Sequence, residues 1–166
     1  FLESISVKVS QTDLDNAEFH FWPCYPDGTE PDVVIVVGQY YVLIEAKYTS
    51  GFGDKTMERE AQLKREMVGG LAAAKELKKE FLLVALTADS TFQKWKAGVN
   101  IDITESSYFR WVNWQNITKI ILCLINNSDK QLDSRNFAAD LLSLLEKKKL
   151  RGFQSFQPPR LNINPT

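Results

Sequence analysis

Residues 31–47 read PDVVIVVGQYYVLIEAK, and this stretch decides the fold. Residues 32–37 (DVVIVV) are an almost unbroken β-branched run, the pattern of a strand covered on both faces. Residues 40–48 (YYVLIEAKY) form a second run. Only Gly38 and Gln39 separate them, and a two-residue loop with Gly first suits a type II′ turn, so the runs form an antiparallel hairpin. With Val37 facing Tyr40, paired positions sum to 77 and Asp32 stands opposite Glu45, their Cβ atoms about 4.5–5.5 Å apart. Lys47, two residues on, projects from the same face. Ala46 points its side chain away but keeps its carbonyl beside the pair. Opposed carboxylates repel each other, and a divalent cation between them is the simplest reason for a fold to keep them. The competing reading is a surface hairpin whose Glu45 and Lys47 make an ordinary exposed pair.

Working outward, residues 17–25 (AEFHFWPCY) read as a strand, with Pro23 marking an edge or bulge, and Asp27-Gly28 as a turn. After the hairpin a loop (TSGFGDKT) leads to Thr56, an N-cap candidate, and to a helix over residues 57–79. Leu63, Met67, Leu71, Ala74 and Leu77 or Lys78 share one face of it. Gly69-Gly70 interrupts that helix at about 1 kcal/mol each relative to Ala, which calls for a close backbone approach by another element or by a ligand. Residues 81–87 (FLLVALT) read as a buried strand and 88–106 as loop-rich. A short strand is expected over 107–112, then an Asn113-capped helix from Trp114 to Ile125. After a polar connection, a helix is expected over 136–150 with Phe137, Leu141, Leu144 and Leu145 on its apolar face. It ends in Lys147-Lys148-Lys149 before Gly152, the favourable sign for a helix C-terminus. The order predicts an α/β fold: a three-stranded meander, a helix and a strand in a mixed sheet flanked by helices. One domain is expected over residues 1–152, followed by a Pro-containing tail over 153–166.

Composition narrows the function. The chain has 166 residues, 44% of them hydrophobic and 25% charged, ordinary values for one soluble domain. No apolar run approaches the roughly 20 residues that span a bilayer, and no secretory signal opens the chain. The first residue is Phe1 rather than Met, as in a fragment or processed chain. Cys24 and Cys123 form no C-x-x-C pair, so two free thiols in a reducing cytoplasm are expected; the single His20 cannot make a multi-histidine metal site. Residues 1–32 hold seven acids and one base (net −6), and the remainder 14 acids and 19 bases (net +5). A basic body with an acidic opening is compatible with nucleic-acid contact. No GxxxxGK[ST] or GxGxxG loop is present, which argues against a nucleotide-driven motor.

Pro31-Asp32, twelve intervening positions and Glu45-Ala46-Lys47 together resemble the PD-(D/E)xK nuclease superfamily, whose fold is restriction endonuclease-like. The resemblance implies a Mg²⁺-dependent phosphodiesterase, an endonuclease acting on DNA, with Mn²⁺ as a substitute metal and RNA as a further substrate class. Carried over by position, Asp32 and Glu45 bind the metal, the Ala46 carbonyl joins them, and Lys47 serves catalysis. RecB-like members place a glutamine on the following helix and a tyrosine four residues later. Gln62 fits the first position, whereas position 66 is Glu. The family adds an acid from its first helix, for which Glu18 is the nearest candidate, with Asp13 and Asp15 behind it; that first helix would lie within residues 1–16. Lys64 and Arg65 are candidates for DNA backbone contact. The resemblance also implies a cytoplasmic, prokaryotic protein working as a homodimer or within a DNA-processing complex, in which a catalytically idle binding subunit is the alternative role.

Weaker signals are the aromatic and basic stretches 92–96 (FQKWK) and 108–114 (YFRWVNW), which could stack on bases but are read first as core packing. Lys75, Lys78, Lys79 and Lys147–Lys149 read as solvated helix faces, and His20 as a structural or surface residue.

Overall fold

The computed structural model describes residues 1–48, 62–92, 106–127 and 131–152. A 3₁₀ turn, Leu2–Ile5, precedes α1 (Gln11–Asp15), β1 (Glu18–Phe21), β2 (Val33–Val37), β3 (Tyr40–Ala46), α2 (Gln62–Glu76), β4 (Glu80–Thr87), β5 (Phe109–Asn113), α3 (Trp114–Asn126) and α4 (Leu132–Lys147). The strands form one mixed sheet in chain order. β1, β2 and β3 are an antiparallel meander; β4 and β5 add in parallel.

The hairpin register is the expected one: Val37 faces Tyr40 and Val33 faces Ile44. Of the two turn residues, Gly38 has φ of 53° and Gln39 is not among the positive-φ residues, the signature of a II′ turn. Alternation then sorts the side chains. Val34, Tyr41, Leu43, Leu83 and Ala85 face α2 and pack with its Leu63 and Ala74. Ile35, Val37, Val42, Ile44, Leu82 and Val84 face the other way, toward Ile5, Val7, Trp114 and Ile117. α4 forms an outer layer on α3 through Ile121, Ala138 and Leu145.

The double glycine of α2 has a packing reason. A Cβ at Gly69 would lie 2.4 Å from the Tyr25 ring, and one at Gly70 would lie 2.5 Å from the Phe81 ring and 2.8 Å from Leu43. α2 stops at Glu76 rather than at residue 79. Lys78 takes a positive φ of 55°, and the Lys79 and Lys78 N–H groups donate to the Ala74 and Lys75 carbonyls, which closes the helix in a Schellman motif. The first part of the expected helix, with Thr56, lies outside the described residues, as does the tail 153–166.

The extent of β1 and the bounds and buried face of α4 differ from the sequence expectations. β1 is four residues long, not nine; Trp22 adopts φ of 50° and Pro23 follows, so the strand cannot continue. α4 begins at Leu132 and ends at Lys147, and its buried face is Ala138 and Leu145 with Leu141 and Leu142 packed beside them. Of the expected stripe, Leu141 and Leu145 make the contact, whereas Phe137 and Leu144 are 69% and 50% exposed. The aromatic stretch 108–114 is packed: Tyr108 lies against Phe81 and the Trp111 indole donates to Thr87. Phe92 packs on Phe109 and Trp111, while residues 93–96 lie outside the described residues.

Candidate active site

The site lies where β2 begins and β3 ends, on the face covered by α2. Each carboxylate is bound to the backbone of the opposite strand end. The Asp32 N–H donates to Glu45 Oε2 at 3.3 Å, and the N–H of Ala46, the residue after Glu45, donates to Asp32 Oδ2 at 2.8 Å. These two bonds lie just beyond the Val33–Ile44 end of the β2–β3 ladder and hold both carboxylates there. Lys47, next but one on β3, makes an ion pair with Glu45 Oε1. Its N–H is held by the Leu86 carbonyl of β4 at 2.7 Å and its own carbonyl accepts from the Trp114 indole at 3.3 Å, so β4 and α3 both anchor its backbone.

From α2, Gln62 reaches down onto the same group. Its Nε2 donates to Glu45 Oε1 at 2.7 Å and to Glu66 Oε1 at 2.7 Å. One amide thus spends both protons on two carboxylates one helical turn and one strand apart. Glu66 is 0% exposed, and its second oxygen, Oε2, is buried without a hydrogen-bond partner. Sequence reading missed Glu66, which it treated as the wrong residue at a tyrosine position. The signal available was the i, i+4 spacing from Gln62, which places both side chains on one helix face.

Electrostatics follow from crowding in a dry place. Burial pushes the Glu66 carboxyl up to about 8, and the nearby Glu45 charge pushes the same way while Gln62 opposes. Burial also raises Glu45, against the hydrogen bond and charge of Lys47; Asp32 adds to the upward push. A fold that buries carboxylates side by side disfavours their joint ionisation unless cationic charge joins them.

Other candidates fall elsewhere. Glu18 pairs with Val36, four residues along β2 from Asp32, a separation of about 13 Å at strand rise. It lies 3.4 Å from His20 on an exposed edge. The residue level with Asp32 on that edge is Trp22, whose N–H donates to the Asp32 carbonyl. Asp13 accepts from Ser10 in the capping box of α1, and Asp15 accepts from Gln11, so residues 1–16 supply a helix but no acid to the site. Arg65 donates to Thr29 Oγ1 at 2.9 Å, which ties α2 to the Asp27–Thr29 turn; Lys64 is half-buried beside it. Lys79 reaches the Gly38 carbonyl. Cys24 and Cys123 are free and exposed.

Could the residues present hold a divalent cation? Among the described residues no three His, Cys, Asp or Glu side chains converge as a ligand cluster. Two carboxylates and a carbonyl do meet the needs of Mg²⁺, a hard ion that takes one or two carboxylates and keeps several waters. Glu66 Oε2, buried beside Gln62 and without a hydrogen-bond partner among the described residues, leaves one polar atom at the site unsatisfied by the protein.

The fold and the site together define an α/β protein with paired carboxylates and a lysine at one end of a mixed sheet. No protein-family model matches the chain, and no curated protein matches it. Among solved structures the chain is similar to the small subunit of the heterodimeric restriction endonuclease R.BspD6I, at 17% identity over 76% of this chain and 79% of that one, with a TM-score of 0.35. A likeness of that size carries no argument about activity, which rests on the site's own residues. Among the described residues no helix is long and apolar enough to cross a membrane.

Proposed function

We propose that this protein is a Mg²⁺-dependent nuclease of the PD-(D/E)xK kind, restriction endonuclease-like in fold, that hydrolyses phosphodiester bonds in DNA. The observation that carries the reading is the pair of carboxylates held by the facing strand ends, Glu45 by the Asp32 N–H and Asp32 by the Ala46 N–H, with Lys47 on the same Glu45 oxygen as Gln62. Asp32, Glu45 and the Ala46 carbonyl would hold the metal. A Mg²⁺ ion held there would supply Lewis-acid chemistry, polarising a phosphoryl oxygen and lowering the pKa of a nearby water. The Lys47 ammonium, held in place at both ends of its backbone, orients that water and stabilises the charge that grows on the phosphoryl oxygens. Gln62 fixes the Glu45 carboxylate, and Glu66 fixes Gln62. Partners such as a second copy or a larger DNA-processing complex belong to this same proposal.

Supercoiled plasmid, single-stranded DNA and RNA, incubated with Mg²⁺, Mn²⁺ or EDTA, test it. Metal-dependent cutting of DNA is expected, and Asp32→Ala and Lys47→Ala should each lower it on the order of 100-fold or more. Cutting that persists in EDTA or in both variants contradicts the assignment. DNA binding without cutting under any condition identifies an idle nuclease-like subunit instead, and cutting of RNA alone reassigns the substrate.

A further inference from the structure

The C-terminal end of α4 is tied to the same end of the sheet as the site. Tyr48, the residue after Lys47, donates its hydroxyl to the Lys148 carbonyl at 2.7 Å across a hundred residues of chain. The Lys148 ammonium in turn lies 5.6 Å from the centre of the Tyr48 ring. Tyr48 lies two residues beyond the end of β3, so its hold on Lys148 ties the lysine cluster to the strand end that carries Glu45.

The cluster is dense and exposed. Residues 146–151 carry four bases, Lys147, Lys148, Lys149 and Arg151, against one acid, Glu146, which pairs with Arg151. Lys147, Lys148 and Lys149 are all exposed, and they outweigh the roughly half a negative charge of a helix C-terminus. The turn itself is rigid. Lys149 and Leu150 donate to the Glu146 and Leu145 carbonyls in a Schellman motif, and Leu150 is buried against Leu145. Lys149 occupies the left-handed position of that motif, with φ of 57°. Glycine would sit there without the roughly 1 kcal/mol that a side chain costs. Lys78 holds the same left-handed position at the end of α2; what sets the end of α4 apart is three consecutive exposed lysines on a closed turn.

We propose that Lys147, Lys148 and Lys149 form a phosphate-contact surface for duplex DNA flanking the Asp32–Glu45–Lys47 site. This rests on the nuclease reading above for its choice of partner. Duplex DNA carries one charge for about every 1.7 Å of axis, so a strand positioned at Lys47 presents further phosphates to a cation cluster anchored one residue away. Such contacts position the duplex without reading its sequence.

The test is fluorescence anisotropy of a short labelled duplex of mixed sequence in EDTA, where binding is read without cutting. Wild type is compared with Lys147→Gln/Lys148→Gln/Lys149→Gln, which keeps the aliphatic stems, and with Lys75→Gln/Lys78→Gln at the far end of α2. Thermal melts confirm that both variants fold. Between about 50 and 200 mM NaCl, the triple variant should lose about two to three units from the slope of log K against log salt and bind about tenfold or more weakly, whereas the α2 variant follows wild type. An unchanged slope in the triple variant, or an equal loss in the α2 variant, overturns the surface assignment while leaving the cutting assay untouched. Failure of wild type to bind in EDTA overturns it too, and the plasmid assay then decides separately whether the site cuts DNA.

Discussion

Glu66 concentrates the physics of the site in one side chain. It has no solvent exposure, one oxygen on Gln62 and one without a partner. Its carboxyl is raised from 4.5 to about 8, first by burial and then by Glu45. The sign of the stability effect follows by linkage. Between those two values the folded state holds a proton that the unfolded chain has released, so stability falls as pH rises through this window and levels off above it. In EDTA, urea unfolding from pH 5 to 9 should show this decline, on the order of a few kcal/mol in total. Glu66→Gln should flatten it and be the more stable protein at the alkaline end, because the amide keeps the shape and carries no charge. An unchanged decline in the variant would show that Glu66 is ionised throughout. The spacing from Gln62 puts Glu66 on the same helix face, but sequence does not reveal its burial. Asp32, Glu45 and Lys47 follow from hairpin register and strand alternation and Gln62 from the family resemblance, whereas the burial of Glu66 depends on how α2 settles on the sheet.

At the level of elements, α2 positions the site through its two glycines. Without a Cβ at Gly70 the helix lies close on Phe81 and Leu43, and that approach carries Gln62 within reach of Glu45. Gly70→Ala gains about 1 kcal/mol of helix propensity and loses about 1–3 kcal/mol to overpacking. The clash at 2.5 Å against an aromatic ring sets the balance: a net loss of stability in urea unfolding is expected, together with weaker activity. A stabilised variant would show that α2 can move away freely. The hairpin was legible because Gly38-Gln39 is a two-residue turn and register admits no slip once one face is buried. The face of α4 was legible in part. Leu141 and Leu145 lie on it as expected, whereas Phe137 and Leu144 satisfy helical spacing and stay exposed while Ala138 is buried; the choice between adjacent stripes is made by α3. Short elements such as α1 rest on a capping box between Ser10 and Asp13, a local interaction that also uses up an acid the family resemblance had offered to the metal.

Across the whole molecule, the topology gathers groups distant in sequence at one end of the sheet. Asp32 directly precedes β2, Glu45 lies at the end of β3 and Lys47 just beyond it, Gln62 lies on α2, and the end of α4 is fastened to Tyr48. The uneven charge along the chain was visible in composition. Its focus beside the site depended on a contact between Tyr48 and Lys148 that no local pattern announces. A cation bound by these groups stabilises the folded state by mass action, about 2.7 kcal/mol at a concentration a hundredfold above its dissociation constant.

The most direct measurement is therefore titration of the metal-free protein with Mn²⁺, followed by electron paramagnetic resonance, for wild type, Asp32→Asn, Glu45→Gln and Lys47→Ala. The account predicts a site in the wild type that weakens about tenfold or more in both carboxylate variants, and that survives in Lys47→Ala because the ammonium competes with the metal for Glu45. Equal binding by wild type and both carboxylate variants, or no binding by wild type, would contradict the assignment of Asp32 and Glu45 as a metal centre.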